Sequence, residues 1–134
     1  MQATSALEQV LPPGARLVVL FGSHGTARTR PDSDVDLLVG LDADTPDLRF
    51  ATAAALSAHF ARDVDVVFTC DAGPLLAFEV ARTGRLLLER DPGAWHRFKV
   101  RAIIDWWDWQ PTASSMHAAF VARLRQHVER AVGA

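Results

Sequence analysis

The sequence predicts a single α/β domain, a small mixed sheet of four or five strands with helices packed on it, followed by two C-terminal helices. Three observations carry this. Short β-type runs at 16–21, 34–41, 63–69 and 85–89 alternate with helix-start signals. The last third has no such run but carries two apolar stripes at helical spacing. A chain of 134 residues, 49% hydrophobic and 22% charged, has the size of one domain and the apolar material for one real core. The expected unit is therefore 1–134, with a core over about 1–90 and a helical extension over about 92–134.

Each element has a local reason. Residues 5–11 form a short helix stopped by Pro12-Pro13-Gly14. Arg16 to Phe21 (RLVVLF) is a compact strand ending at Gly22-Ser23. After a polar stretch, Asp34 to Leu41 (DVDLLVGL) is the second strand, and its start alternates acidic with apolar residues. Thr45-Pro46-Asp47 opens an Ala-rich helix that runs to Phe60. Asp63 to Thr69 (DVDVVFT) is the third strand. Gly73-Pro74 opens a helix closed by Gly84, and Arg85 to Glu89 is a short edge strand. Trp95, Phe98, Ala102, Trp106 and Trp109 mark a helix that Pro111 ends. Met116, Phe120, Leu124 and Val128 mark the last one.

Composition narrows the function classes. The net charge of −2 lacks the basic excess that holds a nucleic-acid backbone, so a nucleic-acid partner is not expected. No run approaches the roughly 20 apolar residues of a membrane span, and the first residues lack a signal-peptide pattern. The single cysteine, Cys70, cannot form an intrachain disulfide and reads as a small buried or half-buried side chain. A cytoplasmic location follows as the expectation.

The chemistry concentrates in Gly22-Ser23, then ten residues, then Asp34-Val35-Asp36. On a strand, residues i and i+2 point the same way, so Asp34 and Asp36 present two carboxylates side by side. Like charges that close repel unless a cation sits between them, and magnesium takes one or two protein carboxylates together with phosphates. Asp65, between Val64 and Val66, faces the same pocket if its strand lies beside the second. Three carboxylates could organise two ions about 4 Å apart, the usual clamp for in-line phosphoryl displacement. Gly22 lets the backbone approach a ligand, and Ser23 can donate to a phosphate oxygen. Asp63, two residues earlier on the same face, is the alternative to Asp65.

With these residues the sequence resembles the DNA polymerase β-like nucleotidyltransferase superfamily. The spacing Gly22-Ser23-x10-Asp34-x-Asp36, with LFGS, DVDLLV and the later DVDVVF, is similar to its minimal (MNT) branch. The resemblance covers about Arg16 to Glu89, and it implies a polymerase-β-like fold. It further implies that Asp34, Asp36 and Asp65 bind Mg2+ and that Gly22 and Ser23 hold the triphosphate of ATP. Many MNT proteins are antitoxins paired with a HEPN-domain toxin, which they nucleotidylate.

The remaining candidates are weaker. Asp32 reads as a turn cap, and His24, Arg28 and Arg30 as phosphate contacts or solvated loop residues. His59, His96, His117 and His127 have no metal-like spacing. Trp95, Trp106 and Trp109 read as core, and Trp107 lies off their stripe. Arg123, Arg125 and Arg130 read as a solvated face, with an acidic partner as the minority reading.

Three functions compete: transfer of AMP from ATP to a protein, a HEPN toxin neutralised by it; transfer to a small molecule, as antibiotic nucleotidyltransferases do; and a non-catalytic antitoxin that covers its partner. The chain has no tyrosine, so a tyrosine acceptor must be external.

Overall fold

The computed structural model describes residues 2–22 and 35–133. Helix α1 (Gln2–Val10) is followed by strands β1 (Ala15–Phe21) and β2 (Val35–Leu41). Next come α2 (Pro46–Phe60), β3 (Val64–Phe68), a 3-10 turn at Thr69–Asp71, α3 (Pro74–Thr83), β4 (Arg85–Glu89) and α4 (Ala94–Gly133). The four strands form one mixed sheet in the order β3-β2-β1-β4. β1 pairs antiparallel with β2 and β4, and β2 pairs parallel with β3. β4 is an edge strand, as its short run predicts.

Alternation along the strands sends side chains to two apolar layers. Val18 of β1, Val35, Leu37 and Val39 of β2 and Phe68 of β3 pack with Leu7 and Leu11 of the N-terminal segment and Leu56 of α2. Leu17 and Val19 of β1 and Leu38 of β2 pack on the opposite face with Val80 of α3, joined by Trp95 and Phe98 of α4. β2 is thus covered on both faces, which is why its sequence after Asp36 is a continuous apolar run.

Capping sets the helix starts. The Thr45 hydroxyl accepts from the Leu48 N–H at 3.2 Å, and Pro46 sits in the first turn of α2, where its missing N–H costs nothing. The far end of α1 is closed from a distance. The Arg90 guanidinium donates to the carbonyls of Glu8 (2.7 Å), Leu11 (3.3 Å) and Ala15 (2.9 Å), and also to that of Pro12. It supplies positive charge where helix carbonyls lack partners. Arg16 and Asp91 add an ion pair that ties the start of β1 to the turn before α4.

The C-terminal third departs from expectation. Instead of two helices broken at Pro111, one 40-residue helix runs through that position. A proline removes its own N–H and crowds the carbonyl four residues back, which weakens one turn but need not end a helix whose flanking residues remain helical. Only the first part of α4 packs on the domain. Trp106 stacks on Phe78 of α3 with ring centroids 4.7 Å apart, and Trp95, Trp106 and Trp109 are half-buried rather than fully enclosed. From Ser115 to Ala131 every side chain is exposed, so the second apolar stripe does not pack on the sheet. Among the described residues, no helix is long and apolar enough to cross a membrane.

Candidate functional site

The parallel pairing of β2 with β3 sets the site. Asp36 is the register partner of Asp65, and Phe21, the last residue of β1, is the partner of Asp36 on its other side. Opposing residues of adjacent strands lie on the same face. For Asp36 and Asp65 it is the face of Leu38 and Val67, the layer covered by α3 and α4. The two carboxylates thus stand side by side at the end of the sheet where β1 finishes and β2 and β3 begin. Asp36 is half-buried and Asp65 exposed.

Gly22 completes this end. Its φ of +79° is in the left-handed region, which a side chain disfavours. A Cβ built there would lie 2.5 Å from Asp36 Oδ2, so the absence of a side chain is what lets this backbone approach the carboxylate.

Asp63 occupies a different place. It precedes β3, and its carbonyl accepts the Val35 N–H at 3.1 Å, so its backbone helps begin the β2–β3 pairing. Asp34 and Ser23 lie outside the described residues, as do His24, Arg28, Arg30 and Asp32. Among the described residues, no group of three or more His, Cys, Asp or Glu side chains is placed to hold a metal ion. What they do offer is two hard oxygen donors from adjacent strands beside a glycine cradle. That donor set fits magnesium, which keeps most of its shell for water and phosphate and takes one or two carboxylates. Two like charges at facing positions are unfavourable by themselves, and a divalent cation would offset that cost.

A second polar cluster, not foreseen from the sequence, lies at the opposite end of β3. Arg49 grips Asp44 through Nε and Nη2, donates to Asp71 at 2.7 Å, and places its guanidinium over the Phe68 ring at 4.6 Å. The Cys70 thiol donates to Asp44 at 2.8 Å. Cys70 is therefore exposed, not buried as its residue type suggested, and no local motif announces a cluster assembled from 44, 49, 70 and 71. Arg49 holds the Asp44 carboxyl well below the ordinary carboxylate range, with the Cys70 thiol helping. The hydrogen bond to Asp44, with that carboxylate's negative charge, pushes the Cys70 thiol up. This end of the sheet is remote from Asp36 and Asp65 along the strands.

Comparison with known proteins agrees with the geometry. The family described as Polymerase beta, Nucleotidyltransferase matches residues 8–93. No curated protein matches the sequence significantly. Solved structures with this fold include a toxin–antitoxin complex with AMP-PNP, at 22% identity and a TM-score of 0.73, which covers 90% of this chain and 97% of its own. They also include the MNT antitoxin in complex with a tri-AMPylated HEPN toxin of Shewanella oneidensis, at 21% identity, TM-score 0.68 and the same coverage. The toxin–antitoxin pair MntA-HepT is similar at 21% identity and a TM-score of 0.68. With a strand-end glycine set against an aspartate, a second aspartate across a parallel pair, and a family match over most of the chain, this protein belongs to the polymerase β nucleotidyltransferase family.

Proposed function

We propose that the chain is a magnesium-dependent nucleotidyltransferase of the minimal (MNT) type. In this reading it moves AMP from ATP onto a HEPN-type toxin and so acts as that toxin's antitoxin in the cytoplasm. The observation that carries the reading is the register of Asp36 against Asp65 beside Gly22. Support for a protein acceptor comes from similar folds: one is a toxin–antitoxin complex with AMP-PNP, another an MNT antitoxin with an AMPylated HEPN toxin.

The residues divide the work as follows. Asp36 and Asp65, together with Asp34, would hold magnesium and fix its position relative to the sheet end. Gly22 admits the triphosphate close to the backbone, and Ser23 donates to a phosphate oxygen. Magnesium, when bound, supplies positive charge against the leaving pyrophosphate and favours deprotonation of the attacking hydroxyl. Holding the acceptor hydroxyl and the α-phosphate in line by these contacts is itself a large part of the rate, because positioning replaces a bimolecular encounter. A tyrosine acceptor would have to be external, since the chain carries no tyrosine of its own.

The second reading is an antitoxin that only covers its partner, and the exposed distal half of α4 favours it. The two readings separate in one assay. The chain is incubated with labelled ATP, magnesium and the HEPN-domain protein encoded by the adjoining gene, beside an Asp36→Asn control. Label on the partner that disappears in the control supports transfer. A stable, unlabelled complex that tolerates Asp36→Asn supports covering alone.

A further inference from the structure

The stripe that packs α4 onto the domain does not stop where the domain stops. At 100° per residue, Trp95, Phe98, Ala102, Trp106 and Trp109 fall within one sector of the helix surface. Met116, Phe120 and Leu124 fall in that same sector and Val128 at its margin, so the second stripe continues the first along one face. The first part is covered by α3 and the sheet. The continuation is open, with Met116 68%, Phe120 60%, Leu124 50% and Val128 56% exposed. From Ser115 to Ala131 this face extends about 25 Å. An apolar row of this length left in water marks an interaction surface more often than a solvated helix.

Charge identifies the kind of occupant. Between Ser115 and Ala131 the helix carries three arginines and a single glutamate, although the whole chain has a net charge of −2. Arg123 and Arg130, seven residues apart, stand two turns from each other along one border of the stripe, where they line a shallow groove with Phe120, Leu124 and His127. An antiparallel second copy of this helix would set arginine against arginine, and a parallel copy would leave Arg123 and Arg130 facing a border with no acid. An amphipathic helix with acidic residues beside its apolar face would not.

We propose that the distal half of α4 is the docking surface for the partner protein, and that the partner covers it with an acid-flanked amphipathic helix. This rests on the protein-partner reading above. The face buries Phe120 and Leu124 against the partner helix, and Arg123 and Arg130 pair with its acids. Ile104 and Trp107 point away from this stripe and take no part.

The test uses the full chain and the HEPN-domain protein of the adjoining gene. Affinity is measured by calorimetry and complex mass by light scattering after gel filtration. Phe120→Glu with Leu124→Glu is expected to weaken the complex about 100-fold. Arg123→Glu with Arg130→Glu should weaken it about tenfold and flatten its salt dependence, and Trp107→Glu should bind as the wild type does. All the substituted positions are exposed, and circular dichroism checks that the helix is retained. Wild-type binding by the Phe120→Glu/Leu124→Glu variant would overturn the docking surface while leaving the partner reading intact. A wild-type chain that dimerises alone, and becomes monomeric on the same substitutions, would assign the face to a second copy and overturn the proposal. No complex with the wild type at all would remove the partner reading and the docking surface together.

Discussion

A methyl group on Gly22 would come within 2.5 Å of Asp36 Oδ2. The glycine that ends β1 and the aspartate near the start of β2 therefore share one volume, and the backbone at 22 also has a φ of +79°. Gly22→Ala should displace the Asp36 carboxylate. Transfer should fall at least about 100-fold, since misplacement by about 1 Å has that effect. Stability should fall by only about 1–2 kcal/mol, the cost of a left-handed non-glycine residue. A labelled-ATP assay and thermal melts measure the two separately, and an active Gly22→Ala variant would mean the cradle is unused.

Asp65 and Asp63 should behave differently. Asp65 is the register partner of Asp36, whereas Asp63 acts on β2 through its carbonyl. Asp65→Asn is expected to abolish transfer with no loss of fold, and Asp63→Asn to retain more than about half the activity, because its backbone contact survives. Inversion of these results would move the ligand role to Asp63.

The same pair of residues defines what could be read in the sequence. Strand runs and the i, i+2 rule make the faces of β2 and β3 legible, and turn residues mark the helix starts at Thr45 and Gly73 within one residue. Strand order is a long-range property, so Asp36 opposite Asp65 could only be conditional until the pairing was known. The course of α4 is not legible locally, because proline is a local penalty of about 3 kcal/mol that a long helix can absorb. The stripe from Met116 to Val128 was legible as helical, but periodicity reports an apolar face without reporting what covers it. The cluster of Arg49, Asp44, Cys70 and Asp71 is built from segments about twenty residues apart and leaves no local trace.

Arg90 should matter more than a partly exposed arginine usually does. It closes the end of α1 by hydrogen bonds to four main-chain carbonyls, contacts that lysine cannot reproduce with a single ammonium. Arg90→Met should lower stability by about 2–3 kcal/mol in urea denaturation, and Arg90→Lys should recover less than half of that. No change in the urea midpoint would show that α1 is held by Leu7 and Leu11 alone.

Cys70 should be sluggish despite its exposure. Its thiol is pushed up by donating to Asp44, so the folded state holds the thiol proton more firmly than the unfolded chain does. That contribution is present below the ordinary thiol pKa and is lost as pH rises through the raised value. Asp44 has the opposite sign. Its lowered pKa stabilises the fold above the ordinary carboxylate range, and that contribution is lost as pH falls below it. Iodoacetamide should therefore modify Cys70 more slowly than a free thiol at pH 8, and Asp44→Asn should move the rate profile to lower pH. An unshifted profile would mean the thiol does not feel Asp44.

The central claim, that Asp36 and Asp65 hold a metal-bound nucleotide, is tested most directly by titrating AMP-PNP into the chain by calorimetry, with magnesium or with EDTA. The comparison is between the wild type and Asp36→Asn/Asp65→Asn. Magnesium is expected to tighten binding at least about tenfold in the wild type and to have no effect in the double variant. Equal affinity with and without magnesium in the wild type, or an undiminished magnesium effect in the double variant, would contradict it.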